Sequence, residues 1–142
     1  MTKKKKVIAF GAFDLLHPGH IYFLEQAKKY GDYLTVAVAR DKNVRLAKGR
    51  LPIFDEKARL QMVKSLKVVD KAVFEDRIKP INTMYVEKPD VVVLGYDQTT
   101  YMTKDGRDCS HYLKWHGIDA KVVRIKPYKK NKYKTTLLRN KQ

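Results

Sequence analysis

The stretch VIAFGAFDLLHPGH, residues 7–20, carries the features that decide the fold of this chain. It opens with an apolar run from Val7 to Phe13, which predicts a first strand. A turn follows from Asp14 to Pro18, and a helical pattern begins directly after it. A strand that leads through a short turn into a helix is typical of the first half of a βαβ unit.

The same alternation of strand-like and helix-like segments continues along the chain. The further predicted strands are Leu34 to Ala39, Lys71 to Phe74, Val91 to Leu94 and Lys121 to Ile125. The predicted helices carry Ile21, Leu24, Ala27 and Lys28 with Gly31 at the C′ position; Ala58, Met62 and Leu66 behind an Asp55 cap; Ile81, Met84, Tyr85 and Lys88; His111 to His116 closed by Gly117; and a last short helix from Thr135. This order predicts an α/β fold in one domain over residues 1–142, with a mostly parallel five-stranded sheet and helices on both faces.

The composition narrows the class of protein. Thirty-one Lys and Arg against fifteen Asp and Glu give a net charge of +16 and suggest an anionic partner. Nucleic acid is the first candidate, but the basic residues are spread along the chain and match no common nucleic-acid-binding motif. The same field would attract a nucleoside triphosphate and a phosphorylated acceptor.

Two further features of the sequence indicate the cellular compartment. No apolar run approaches the ~20 residues that a membrane-spanning helix needs. A single cysteine, Cys109, excludes an internal disulfide and favours a reducing compartment. We therefore expect a cytoplasmic protein that does not enter the membrane.

The segment after the first strand holds the strongest functional signal. Ligands of parallel α/β sheets bind beyond the carboxyl ends of the strands, which directs attention to the segments after strands one, two and four. Pro18 suits the first turn of a helix, and Gly19 leaves room for a phosphate to approach the backbone. His17 and His20 flank them, so two imidazoles and the helix N-terminus are expected to hold an anion. Zinc binding at this i, i+3 spacing is an alternative that lacks a nearby third ligand.

Gly11-Ala12-Phe13-Asp14 followed by His17-Pro18-Gly19-His20 resembles the G-T-F-D-x-x-H-x-G-H signature of the cytidylyltransferase family of nucleotidyltransferases. The resemblance implies a Rossmann-like fold in which both histidines contact the nucleotide triphosphate. Ala12 stands where the family usually has Thr. The strings Val38-Ala39-Arg40-Asp41, Lys48-Gly49-Arg50, Leu94-Gly95-Tyr96-Asp97-Gln98 and Tyr128-Lys129-Lys130 look most like those of archaeal-type FAD synthases. These enzymes adenylate FMN, whereas their relatives transfer CMP to glycerol 3-phosphate.

The remaining site residues follow from this resemblance and from their positions. We expect the catalytic residues to be His17, His20 and Lys48, with Lys48 in a loop after strand two. The expected nucleotide-binding residues are Ala12, Phe13, His17, Pro18, Gly19, His20, Asp97, Thr135 and Thr136. Contacts to the acceptor or its phosphate are assigned to Asp14, Arg50 and Tyr128. Tyr96, Tyr101 and Tyr128 are candidates to stack on an isoalloxazine or purine ring, and Trp115 and Met84 are interpreted as core residues.

The reaction expected from these parts is a direct in-line transfer. The acceptor phosphate attacks the α-phosphorus of ATP or CTP, with Mg²⁺ bound mainly through the substrate phosphates. FMN is the favoured acceptor, and the resemblance implies a homodimer. A nucleic-acid-binding module and a catalytically inert nucleotide sensor on the same fold remain alternative hypotheses.

Overall fold

The computed structural model describes residues 3–75, 81–98 and 109–128. Its elements are β1 (Lys6–Gly11), α1 (Pro18–Lys28), β2 (Tyr33–Val38), α2 (Asp41–Lys48), α3 (Glu56–Lys64), β3 (Lys71–Phe74), α4 (Ile81–Glu87), β4 (Val91–Leu94), α5 (Cys109–Trp115) and β5 (Lys121–Arg124). Within these residues no helix has both the length and the apolar character needed to cross a membrane.

The five strands form one parallel sheet in the order β3-β2-β1-β4-β5. The chain moves outward from β1 to β3 on one side and then returns to place β4 on the other side of β1. Strand order therefore reverses between β1 and β4, where Ala9 lies beside Val93. Ligands of such sheets bind in the crevice at this reversal, beyond the carboxyl ends of the strands.

Alternate residues of β1 enter two separate hydrophobic cores, because successive side chains of a strand point to opposite faces. Val7 and Ala9 belong to the core that includes Leu24 of α1 and Val63 of α3. Ile8 and Phe10 belong to the core that includes residues of α4 and α5. This arrangement confirms the predicted Rossmann-like α/β fold with helices on both faces of the sheet.

Helix α2 is an element that the sequence did not predict. Lys48 was expected in a loop, but it is the last residue of this helix, and that prediction is wrong. Val44 is its buried residue, so the apolar repeat was too weak to indicate a helix. Gly49 ends it in the left-handed conformation with φ of 75°, which glycine adopts without steric cost.

Two other local predictions differ from the structure. Gly31 does not cap α1, because the cap is Lys29 in a right-handed conformation; a Cβ on Gly31 would instead lie 2.6 Å from the carbonyl oxygen of Lys5. Trp115 is 83% exposed and is not a core residue, whereas Met84 is buried as expected. A single aromatic residue in a short helix does not report which face it occupies.

Candidate functional site

The two histidines form a stacked pair at the start of α1. Nδ1 of His17 accepts a hydrogen bond from the main-chain N–H of Gly19 at 3.1 Å, which makes His17 the N-cap. Nδ1 of His20 accepts from the main-chain N–H of His17 at 3.3 Å. The ring centroids lie 3.8 Å apart with an angle of 25° between the ring planes. The pair therefore occupies fixed orientations that the local backbone imposes.

Burial keeps both imidazoles neutral. It is the largest cause that lowers the pKa of His20 to about 3. The adjacent His17 ring, which disfavours a second proton, and the positive charge of Lys48 lower this pKa further, whereas a main-chain hydrogen bond to Leu15 raises it. Burial also lowers the pKa of His17. Because Nδ1 of each neutral ring accepts a hydrogen bond, the one ring proton is on Nε2. Each ring is thus a neutral Nε2–H donor at physiological pH.

The main-chain donors of this turn already have partners. The N–H of Gly19 bonds to His17, and the N–H of His20 donates to the carbonyl oxygen of His17 at 2.9 Å. Pro18 at the first helical position has no N–H to offer. The sequence predicted that free main-chain amides would join the imidazoles in holding an anion. In this conformation the N–H groups of Gly19 and His20 already have partners within the turn, and the helix dipole still favours an anion there.

The strand that leads to the histidines ends in a tight packing arrangement. Phe13 is a buried, non-glycine residue with φ of 53°, and its ring packs edge-on against His20 with centroids 5.4 Å apart. A Cβ on Gly11 would lie 2.7 Å from the Phe13 ring, so this position requires glycine. Phe13 thus supports His20 from the core side.

Asp14 and Arg59 tie this turn to the segment before α3. Asp14 is 4% exposed, and its two carboxylate oxygens accept from the N–H groups of Ile53 and Phe54, both at 2.9 Å. Asp14 was predicted as an acceptor contact, and in this structure its carboxylate holds the main chain of the neighbouring segment.

The guanidinium of Arg59 is fully buried and connects three segments. It donates to the carbonyl oxygens of Ala12 at 2.7 Å and Phe54 at 3.0 Å, and it pairs with Asp41 at 2.7 Å. Such a charge is tolerated because several partners satisfy it. Two of its partners, Ala12 and Asp41, lie 47 and 18 residues away in the chain, so the sequence does not indicate these contacts.

The positive charge of Lys48 lowers the pKa of His20. Lys48 ends α2 and is exposed, and Arg50 follows it after Gly49, also exposed. The catalytic role of Lys48 stays a prediction, and the residue lies at a helix terminus rather than in the expected loop.

The turn after β4 forms the other side of the crevice. The side chain of Gln98 accepts from the N–H of Gly95 at 2.8 Å and donates to the carbonyl oxygen of Phe10 at 2.7 Å. Arg124 donates to the carbonyl oxygens of Gly95 and Gln98. These bonds hold the turn that carries the exposed Asp97 beside the end of β1.

The other predicted residues are less closely grouped. Tyr128 stacks on Tyr22 of α1 with centroids 5.0 Å apart, and Tyr96 is partly buried in the turn after β4. Thr135, Thr136 and Tyr101 lie outside the described residues. Among those that are described, the structure gathers the histidine pair, its glycine and proline, and Phe13 beyond the end of β1, and Asp97 lies in the turn after β4.

Comparison with known proteins identifies the family of this chain. The family model described as cytidylyltransferase-like matches residues 8–141. The chain is 49% identical over 125 residues to an FAD synthase of Ferroglobus placidus, covering 86% of this chain and 76% of that protein. It is 40% identical over 136 residues to an FAD synthase of Thermoplasma acidophilum, covering 96% and 92%.

Two solved structures share the fold. One is described as the lipopolysaccharide core biosynthesis protein of Thermoplasma volcanium, with a TM-score of 0.81 and 41% identity over 89% of this chain and 99% of that one. The other is a pantoate-beta-alanine ligase of Francisella tularensis, with a TM-score of 0.59 over 98% of this chain and 69% of that one. At 16% identity the second similarity concerns the fold alone.

Proposed function

This chain belongs to the cytidylyltransferase-like family, and from that premise we propose that it transfers AMP from ATP to FMN, forming FAD and pyrophosphate. It is an enzyme of the nucleotidyltransferase class. Several relatives at 40–49% identity are FAD synthases, which supports ATP as the donor and FMN as the acceptor.

The observation that carries the proposal is the stacked, neutral histidine pair at the crevice between β1 and β4. In the reaction, an oxygen of the FMN phosphate attacks the α-phosphorus of ATP. The bond from that phosphorus to the oxygen that bridges to the β-phosphate breaks, and pyrophosphate takes the electron pair. A phosphate monoester is already largely ionised near pH 7, so the attack needs no general base.

The chain's own residues act by positioning and by stabilising charge. The Nε2–H groups of His17 and His20 are proposed to donate to phosphate oxygens whose charge grows as pyrophosphate leaves, with His20 exchanging its main-chain hydrogen bond to Leu15 for the phosphate. Lys48 adds a positive charge next to them, and it approaches from the end of α2. A neutral imidazole donates a hydrogen bond without holding pyrophosphate through a full charge, which favours release of the product.

Mg²⁺ is proposed as the metal of the reaction, held mainly by the substrate phosphates. The groups gathered at the crevice are imidazole protons and an ammonium, which bind phosphate oxygens and not a hard cation. When bound, the metal would neutralise charge on the triphosphate. The exposed carboxylate of Asp97 is proposed either as an oxygen ligand of the metal or as an acceptor for a ribose hydroxyl.

Three further features belong to the proposal. We propose a cytoplasmic enzyme that works as a homodimer, with nucleic acid as no more than a weak, salt-sensitive partner. The Thr135-Thr136 pair and Arg50 are proposed to contact phosphates as the sequence suggested. Ala12 would act through its main chain, since its side chain has no hydroxyl.

The test is an assay of pyrophosphate release with ATP or CTP, each combined with FMN or glycerol 3-phosphate. Turnover with ATP and FMN, and FAD as the product, is the expected result. Turnover confined to CTP and glycerol 3-phosphate would replace the proposal with a cytidylyltransferase. Nucleotide binding without turnover in all four mixtures would indicate a nucleotide sensor.

A further inference from the structure

The loop before α3 exposes apolar side chains beside the site. We call Leu51-Pro52-Ile53-Phe54 the apolar loop. Leu51 is 54% exposed, Ile53 44% and Phe54 41%. Exposed loops are usually polar, and neighbouring apolar side chains at a surface commonly mark a binding site.

The apolar loop is held in place by buried charged groups. Asp14 accepts from the N–H groups of Ile53 and Phe54, and Arg59 donates to the carbonyl oxygen of Phe54. Burying a carboxylate and a guanidinium is costly unless their partners are well placed. Here they are used to fix the backbone of the loop while its side chains stay in water. The apolar surface is thus preorganised, which lowers the cost of binding a ligand.

The same two residues connect the apolar loop to the nucleotide site. Asp14 lies three residues before His17 in the turn after β1, and Arg59 also donates to the carbonyl oxygen of Ala12. Lys48 and Arg50, both exposed, come directly before the apolar loop in the chain. An acceptor with a phosphate at one end and an apolar ring at the other would therefore find a cation and an apolar surface in adjacent segments.

We propose that the apolar loop, through Phe54 and Ile53, is the surface that receives the isoalloxazine ring of FMN and thereby selects a flavin acceptor over a small phosphate ester. This inference rests on the proposed function and assigns its acceptor specificity. A flat aromatic ring system gains from contact with Phe54 by stacking and by removal of apolar surface from water. Among the tyrosine candidates, Tyr128 already stacks on Tyr22.

The experiment compares Phe54→Ala with wild type by steady-state kinetics in FMN and in ATP. We expect the KM for FMN to rise roughly tenfold, as for loss of one stacking partner, and the KM for ATP to change less than twofold. Phe54→Tyr keeps the ring face and should restore the KM for FMN. Trp115→Ala is the matched control, because Trp115 is a more exposed aromatic residue on α5.

The outcomes separate the inference from the proposed function. The main-chain bonds of Phe54 do not involve its ring, so Phe54→Ala should fold, and circular dichroism checks this. If wild type transfers AMP to FMN but Phe54→Ala keeps the wild-type KM for FMN, the apolar loop is not the flavin site. An equal rise in the KM for FMN and for ATP would also overturn the inference, because it would indicate general damage. If wild type does not use FMN at all, the proposed function fails first.

Discussion

At the scale of single residues, the site depends on how a histidine substitutes for the usual capping side chains. His17 and His20 each use Nδ1 to accept a main-chain N–H in the first turn of α1. This fixes both rings and leaves each proton on Nε2. In each ring, therefore, Nδ1 accepts the hydrogen bond at the helix start and Nε2 carries the proposed catalytic proton. The hydrogen bonds that begin the helix also orient the proposed catalytic group.

Removing either ring should lower turnover sharply. We expect His17→Ala or His20→Ala to reduce kcat by ~10²–10³, comparable with loss of an oxyanion-hole donor. The measurement is pyrophosphate release at saturating ATP and FMN. His111→Ala is the control, since His111 is exposed on α5. A double variant that keeps near wild-type turnover would refute the role assigned to the pair.

The low pKa of His20 predicts sensitivity to acid. Above pH 6.5 the His20 ring is neutral in both the folded and the unfolded state. Below pH 6.5 the ring is protonated in the unfolded state, but in the folded state it stays neutral until about pH 3. The free energy of unfolding should therefore fall as the pH decreases through this window, by up to about 1.4 kcal/mol per pH unit for this group.

The variant His20→Asn checks that prediction. Its amide oxygen can replace Nδ1 as acceptor for the N–H of His17, but it does not titrate. Urea unfolding between pH 6 and pH 4 should give a shallower pH dependence than wild type. An unchanged slope in His20→Asn would contradict the buried, neutral state of the ring.

At the scale of elements, the site is assembled from loops that distant residues hold together. Asp14 joins the turn before α1 to the apolar loop, and Arg59 of α3 joins both to the start of α2. Gln98 performs the corresponding task between β1 and the turn after β4. These side chains take the place of ladder hydrogen bonds where the strands end and the crevice opens.

Asp14→Asn should weaken the hydrogen bonds that hold the apolar loop to the turn before α1. Asparagine has one acceptor oxygen where two N–H groups need partners, so the N–H of Ile53 or Phe54 would face an amide donor. We expect a loss of about 1–3 kcal/mol in the free energy of unfolding, measured with urea. Asp55→Asn is the control, because asparagine caps a helix as well as aspartate does. An equal free energy of unfolding for Asp14→Asn and wild type would show that these hydrogen bonds do not stabilise the fold.

At the scale of the whole molecule, the net charge of +16 matches two anionic substrates. A positive field raises the local concentration of ATP and FMN around the crevice and favours their capture. The field acts before the reacting groups are in contact, so it should affect capture of substrates and leave the chemical step unchanged.

Added salt should therefore weaken the capture of substrates and leave the turnover of bound substrates unchanged. Between about 10 mM and 200 mM KCl, at constant Mg²⁺, we expect kcat/KM for ATP to fall by roughly tenfold while kcat stays constant. Steady-state kinetics at each salt concentration measures both. A flat kcat/KM would indicate that the excess charge serves another purpose.

The sequence alone determined the α/β class, the strands and the histidine turn, because each rests on local patterns: apolar runs, helical spacing, and a proline and glycine at a helix start. The sequence did not predict helix α2, because a single buried valine gives no helical periodicity. The stacking of His17 on His20, the role of Asp14 and the three bonds of Arg59 were decided only by the tertiary structure. Arg59 and Ala12 are far apart in the chain, so no local pattern indicates their contact. The low pKa of His20 and the hydrogen bonds of the buried Arg59 guanidinium both depend on burial, which exists only after the chain has folded.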